Sequence, residues 1–156
     1  MQSTRRIAEP LVSLATPVRC HVVGIGGPGM SSIARLLLEM GHVVSGSDVR
    51  ESSVLDQLRA LGANIFIDHD ANHVEGAHLV TYSTAIPENN PELIEAERLG
   101  ITVLHRSGVL ASLCAATTAI GVAGTHGKTT STALLTAMTT GGGLSPSSII
   151  GAEVNG

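Results

Sequence analysis

The stretch HVVGIGGPGMSSIARLLLEMG, residues 21–41, restricts the fold more than any other part of the chain. A β-branched run, VRCHVVGI (18–25), reads as a buried strand that ends on glycine. Met30, Ile33, Ala34 and Leu37 then recur at helical spacing, and Gly41 closes the helix. A strand turning on glycines into a helix belongs to a parallel sheet, because the helix carries the chain back for the next strand. The alternation continues. HVVSGSD (42–48) predicts a second strand, and Ser52 or Ser53 caps a helix carrying Val54, Leu55, Leu58 and Leu61 that stops at Gly62. Residues 64–67 and 77–83 predict two more strands, and Pro91 fits the first turn of a helix over 92–100. A fifth strand at 101–105 and a short helix at 107–113 complete a doubly wound, Rossmann-like α/β unit over 18–113.

A second unit of the same grammar starts at 114. TTAIGVAG (117–124) predicts a strand, GTHGKTT (124–130) a phosphate loop, and 128–140 a helix. GGGLSPSS (141–148) reads as turn material, and SIIGAEVNG (148–156) as one more strand. Residues 1–17, interrupted by Glu9 and Pro10, read as a flexible tail and not a signal peptide.

Composition narrows the function. Tyr82 and Phe66 are the only large aromatics among 156 residues, so the core is aliphatic and no base-stacking platform exists. The net charge of −4, with no basic block, disfavours nucleic acid. No apolar run reaches membrane-span length, so no membrane partner is expected. Cys20 and Cys114 lie far apart with no CxxC spacing, which fits two reduced, buried thiols in a cytoplasmic protein.

Two loops carry chemistry. Gly24, Gly26 and Gly29 satisfy GxGxxG between strand and helix, where backbone amides and a helix N-terminus receive a diphosphate. Asp48 ends the next strand, where an acid accepts hydrogen bonds from a ribose hydroxyl. The motif does not say which nucleotide, and NAD fits it as well as others. Pro28 deletes one N–H from the turn. In the second loop, Gly127, Lys128 and Thr129 match the end of G-x-x-x-x-G-K-[ST], with Gly124 standing two residues late for the first glycine. Lys128 neutralises β- and γ-phosphates there, and the Thr129 hydroxyl reaches Mg²⁺.

GTHGKTT (124–130) resembles the ATP loop of the Mur ligases, which build the peptide stem of peptidoglycan. HVVGIGGPGMSSIA (21–34), SGSD (45–48), STAIPENNPEL (83–93) and VLHR (103–106) are similar to the branch that adds L-alanine to UDP-N-acetylmuramate. The branch that recycles the murein tripeptide ranks second. The resemblance covers Arg19 to Asn155. It implies that the first unit holds the UDP-sugar, with Gly24, Gly26, Gly27, Gly29 and Met30 at the diphosphate and Asp48 near the uridine. Ser83, Thr84 and Ala85 would close the same pocket, and Arg106 would face an anionic group. Gly124, Thr125, His126, Gly127, Lys128, Thr129 and Thr130 would hold ATP, with Lys128 catalytic and Thr129 on Mg²⁺. The implied reaction is ATP-driven amide formation through an acyl phosphate, with residues 114–156 opening a central ATPase domain. The chain is then expected to be the front of a longer ligase, inactive by itself, with 117–156 mobile or prone to associate. Departures from the family pattern are Pro28 in place of alanine, Asp68 where glycine is usual, and GAEVN at 151–155 in place of Gly-Gly-x-Leu-Asn.

Other groups read more plainly. His69, Asp70 and His73 have metal-ligand spacing but no further ligand, and are taken as a solvated loop. Glu88, Glu92, Glu95 and Glu97 read as one solvated helix surface. Two other functional classes stay open: an NAD-binding regulatory or redox module, and a P-loop phosphotransferase with an unusual N-terminal domain.

Overall fold

The protein is described here over residues 11–150 by a computed structural model. Five parallel strands form one sheet in the order β3-β2-β1-β4-β5: β1 (Arg19–Val23), β2 (Val43–Asp48), β3 (Asn64–Ile67), β4 (Leu79–Tyr82) and β5 (Thr102–His105). The chain winds outward from β1 to β3, then returns to place β4 on the other side of β1. That reversal opens a crevice at the carboxyl ends of β1 and β4, where ligands collect in such sheets.

The helices follow from their caps and apolar spacing. α1 (Pro28–Glu39) buries Met30, Ile33, Ala34 and Leu37. α2 (Ser53–Ala60) starts where the Ser52 hydroxyl accepts the Leu55 amide, and buries Leu55 and Leu58. α3 (Pro91–Arg98) starts where the Asn90 side chain accepts the Glu92 and Leu93 amides, with Pro91 in its first turn. α4 (Arg106–Ala116) runs past residue 113, the limit expected for the first unit, and buries Val109 and Leu113. One core joins α1, α2 and α4 to one sheet face through Cys20, Val22, Val44 and Leu79; a smaller one packs α3 on the other face around Val23 and Val80. Each fully buried Ile or Leu contributes roughly 1.5–3 kcal/mol.

Three expectations are revised. Residues 11–17 were assigned to a tail, yet Leu14 is buried in the main core and the Val12 amide donates to Ser112 Oγ at 3.1 Å. An aliphatic side chain with a core slot beside it stays there. The remainder of that tail lies outside the described residues. Residues 117–124 form no strand, because among the described residues nothing forms a ladder with them. Residues 148–150 are likewise not in a strand, and 151–156 lie outside the described residues. The helix expected at 128–140 is present as α5 (Lys128–Gly141).

Candidate functional site

The glycine turn between β1 and α1 is held from below by the end of β2. The Ser47 carbonyl accepts the amides of Gly24 (2.8 Å) and Ile25 (3.0 Å), and Asp48 Oδ2 accepts the amide of Gly26 (2.9 Å). Gly24 has φ +71°, in the left-handed region that favours glycine, and a Cβ there would lie 3.0 Å from Ile86 Cδ1. The Gly27 amide donates back to the Gly24 carbonyl at 3.1 Å. The amides of Gly24, Gly26 and Gly27 are therefore committed to the turn. The next donors are the first-turn amides of Gly29 and Met30, which have no intramolecular acceptor among the described residues. No side chain caps α1, and no acid lies in its first turn, so this end is open to an anion. Pro28 sits at the first helical position, where an N–H is dispensable.

Met30 can meet a ligand through its backbone alone. Its side chain is in the main core, 2% exposed, so only its backbone amide can serve a ligand. Thioether packing under the helix wins over solvent at the turn.

Arg106 and the turn come together. A Cβ built on Gly29 would lie 2.8 Å from Arg106 Nη1, which puts the guanidinium over the first turn of α1. Arg106 opens α4, which His105 caps through the Ser107 amide. Ser83, Thr84 and Ala85 follow β4 in a turn closed by the Ile86 amide on the Ser83 carbonyl at 3.0 Å, and Ile86 reaches across to Gly24. Thr84 and Ala85 are exposed. Asp48, Arg106, the glycine turn and residues 83–86 thus surround one crevice.

Sequence reasoning missed the group behind that crevice. Glu92 was read as part of a solvated helix surface, but its side chain is 0% exposed. Its Oε1 lies 3.3 Å from His21 Nε2 and 2.9 Å from His73 Nδ1; its Oε2 accepts from Ser47 Oγ (2.6 Å) and lies 2.9 Å from His69 Nδ1. The solvated-loop reading of His69 and His73 is corrected with it, since both rings turn inward onto this carboxylate. Phe66 stacks on His73 with ring centroids 4.1 Å apart. Burial pushes the Glu92 carboxyl upward, but the hydrogen bonds from His21, Ser47 and His73 and the charge of His21 outweigh it and bring it to about 2. His21 Nδ1 lies 2.9 Å from Ser45 Oγ, and His73 Nδ1 also receives the Asp70 amide at 3.3 Å. The legible signal was Asn-Asn-Pro-Glu, which puts a carboxylate in the first turn of a helix. Its partners lie 19 to 71 positions away.

Asp68 adopts φ +94°, the only positive φ outside glycine among the described residues, which is a physical reason for glycine to be usual there. The Cys20 thiol is pushed to about 12 by burial and is chemically quiet, but Cys114, expected to be buried as well, is exposed near the end of α4.

The second loop lies on an open surface. Gly127, at φ +76°, forms the turn into α5, and no side chain caps the helix. Lys128 Nζ donates to the Gly124 carbonyl at 2.6 Å, folding the ammonium over the loop. His126 Nδ1 lies 3.2 Å from Thr125 Oγ1, which shapes the loop locally. Residues 123–131 are exposed throughout, Thr129 and Thr130 included. An ammonium, an uncapped helix end and free hydroxyls fit a Mg²⁺-bound triphosphate.

Among the described residues no helix is long and apolar enough to cross a membrane. Residues 19–118 match the Mur ligase family, catalytic domain. A UDP-N-acetylmuramate--L-alanine ligase of Mycobacterium leprae (strain TN) is 52% identical over 141 residues, which is 87% of this chain and 28% of that protein. The chain therefore spans under a third of that relative's length. The crystal structure of a UDP-N-acetylmuramate-alanine ligase from Thermotoga maritima is similar with TM-score 0.60 and 32% identity, over 63% of this chain and 23% of that one. A murein peptide ligase from Psychrobacter arcticus 273-4 is similar with TM-score 0.72 and 30% identity, over 81% of this chain and 27% of that one. The glycine turn, its partners across the crevice and the match through most of the sheet lead to one conclusion: the chain belongs to the Mur ligase family.

Proposed function

We propose that the first unit, 18–113, binds UDP-N-acetylmuramate, and that 114–156 begins the ATP-binding part of a cytoplasmic UDP-N-acetylmuramate–L-alanine ligase of peptidoglycan synthesis. One observation carries the reading: Arg106 lies over Gly29 at the uncapped start of α1, so a cation and two open amides meet at one point. A diphosphate suits that point. Asp48 keeps Oδ2 on the Gly26 amide, and Oδ1, which accepts the Arg50 amide at 3.4 Å, has a further lone pair for a ribose or uridine. Ser83, Thr84 and Ala85 line the opposite rim.

In the proposed reaction the lactyl carboxylate takes the γ-phosphoryl group of ATP, releasing ADP. The amine of L-alanine then attacks the acyl carbon, and phosphate leaves as the amide forms. Gly124 to Thr130 would hold the triphosphate, Lys128 would offset charge on the transferring group, and Thr129 would hold Mg²⁺, which supplies further charge stabilisation when bound. Lys128 must first leave the Gly124 carbonyl, an exposed contact that is cheap to break.

The murein-tripeptide ligase is the second reading, favoured by the larger structural overlap with the Psychrobacter protein. The two differ in the amine acceptor, so tripeptide-dependent against alanine-dependent ADP release separates them. Calorimetry tests the nucleotide. Saturable heat with UDP-N-acetylmuramate, none with NADH, and about tenfold weaker binding by Arg106→Ala are expected. Saturation by NADH alone would favour a redox or regulatory module. Mg-ATP hydrolysis that Lys128→Ala abolishes, with no UDP-sugar response, would favour a phosphotransferase.

A further inference from the structure

We infer that Glu92 is a positioning residue for the crevice, tying the glycine turn and the 83–90 segment into the arrangement that receives a nucleotide diphosphate. The inference rests on the diphosphate reading of the turn.

Glu92 touches no part of the crevice, yet it meets every element behind it. Through His21 it holds β1, through Ser47 the end of β2, and through His69 and His73 the link from β3 to β4. Its own backbone begins α3, whose cap Asn90 ends the segment that carries Ser83, Thr84, Ala85 and Ile86. The route to the turn is short. The Ser47 hydroxyl donates to Glu92, and the Ser47 carbonyl receives the amides of Gly24 and Ile25. Ser47 adjoins Asp48, which holds Gly26. The route to the rim is equally short, since Ile86 packs on Gly24 six residues before Glu92.

The arrangement exceeds what packing alone requires. A parallel strand covered on both faces is normally a continuous apolar run. Here β1 and β2 place His21, Ser45 and Ser47 on the α3 face, while Cys20, Val22 and Val44 fill the other. A buried carboxylate needs polar partners, and side chains from three separate parts of the chain stand within hydrogen-bond distance of this one. Such a hub has one low-energy geometry, whereas apolar contacts there would tolerate sliding of α3 and β2 by a few tenths of an ångström.

Glu92→Gln tests this, because the amide keeps the shape and loses two acceptor directions. In the 156-residue chain, the backbone amide resonances of Gly24, Ile25 and Gly26 are compared with wild type, and UDP-N-acetylmuramate is titrated by calorimetry. The expected result is displacement of those three resonances and about tenfold weaker binding. Unmoved resonances with unchanged affinity would overturn the inference. So would a lower melting temperature with neither readout altered, which is the mark of a purely structural residue. Should Glu92→Gln not fold, Ser47→Ala carries the test, since it removes one donor and leaves the carbonyl. The same resonance displacement with a smaller affinity loss is then expected, and no displacement overturns the inference. Absence of wild-type binding to the UDP-sugar would count against the diphosphate reading itself, while the resonances of the free protein would still decide whether Glu92 governs the turn.

Discussion

The two glycine loops share a local grammar and differ in everything around it. At 24–29 the turn rests on Ser47 and Asp48, is overlaid by Ile86 and Arg106, and backs onto a buried hub. At 124–130 the turn is held by its own residues: Lys128 on Gly124, His126 beside Thr125. α1 buries four residues, whereas α5 buries none and leaves Leu134 and Met138 exposed, with Ile120 exposed before the loop. A glycine turn before a helix is thus a local product of sequence. Whether it is rigid depends on what stands behind it.

Hydrogen exchange is the strongest way to break that comparison. Amides in α5 are expected to exchange about a thousandfold faster than those of β1 and β2, because a 14-residue helix without tertiary cover is marginal in water. Equal protection would show that α5 has cover of its own. A pair of alanine substitutions comes next. At Gly46 a Cβ would lie 2.6 Å from the Val22 carbonyl and from Ile25 Cδ1, whereas at Gly121 it meets nothing within 4 Å. Urea unfolding should show Gly46→Ala losing about 3 kcal/mol or more, and Gly121→Ala changing by less than about 0.5 kcal/mol.

Acid separates the regions in a third way. Glu92 is held at about 2 in the fold, below its ordinary value, so its contribution is complete above about pH 5 and is lost as pH falls toward 2. A loss of about 3 kcal/mol over that window is expected from denaturant melts, and Glu92→Gln should flatten it. The smallest effect sits at the edge of the hub. Asp68→Gly relieves a left-handed residue at φ +94° and should raise stability by about 0.5–1 kcal/mol, read as a higher melting temperature.

Much of the first unit was legible because its signals are local. β-branched runs, apolar residues at helical spacing, Ser52 and Asn90 as caps and Pro91 in a first turn each act within a few residues. Gly24, Gly29, Asp48 and Arg106 were legible as candidates because the alternation puts them at strand ends, and the fold brings them around one crevice. At Met30 the sequence could not tell side chain from amide, because a residue at the start of a helix can point the two to opposite places. Residues 117–124 have strand composition, but a strand exists only with a neighbour to bond.

In the first unit the order of strands and helices, and in both units the glycine turn before a helix, were determined by the chain's own pattern, since periodicity and backbone preference need no distant partner. Only tertiary structure decided that Glu92 would be buried, that Leu14 would be core, and that Arg106 would lie over Gly29. The reason is that burial and charge pairing depend on residues tens of positions apart, and no local spacing records which of them will meet.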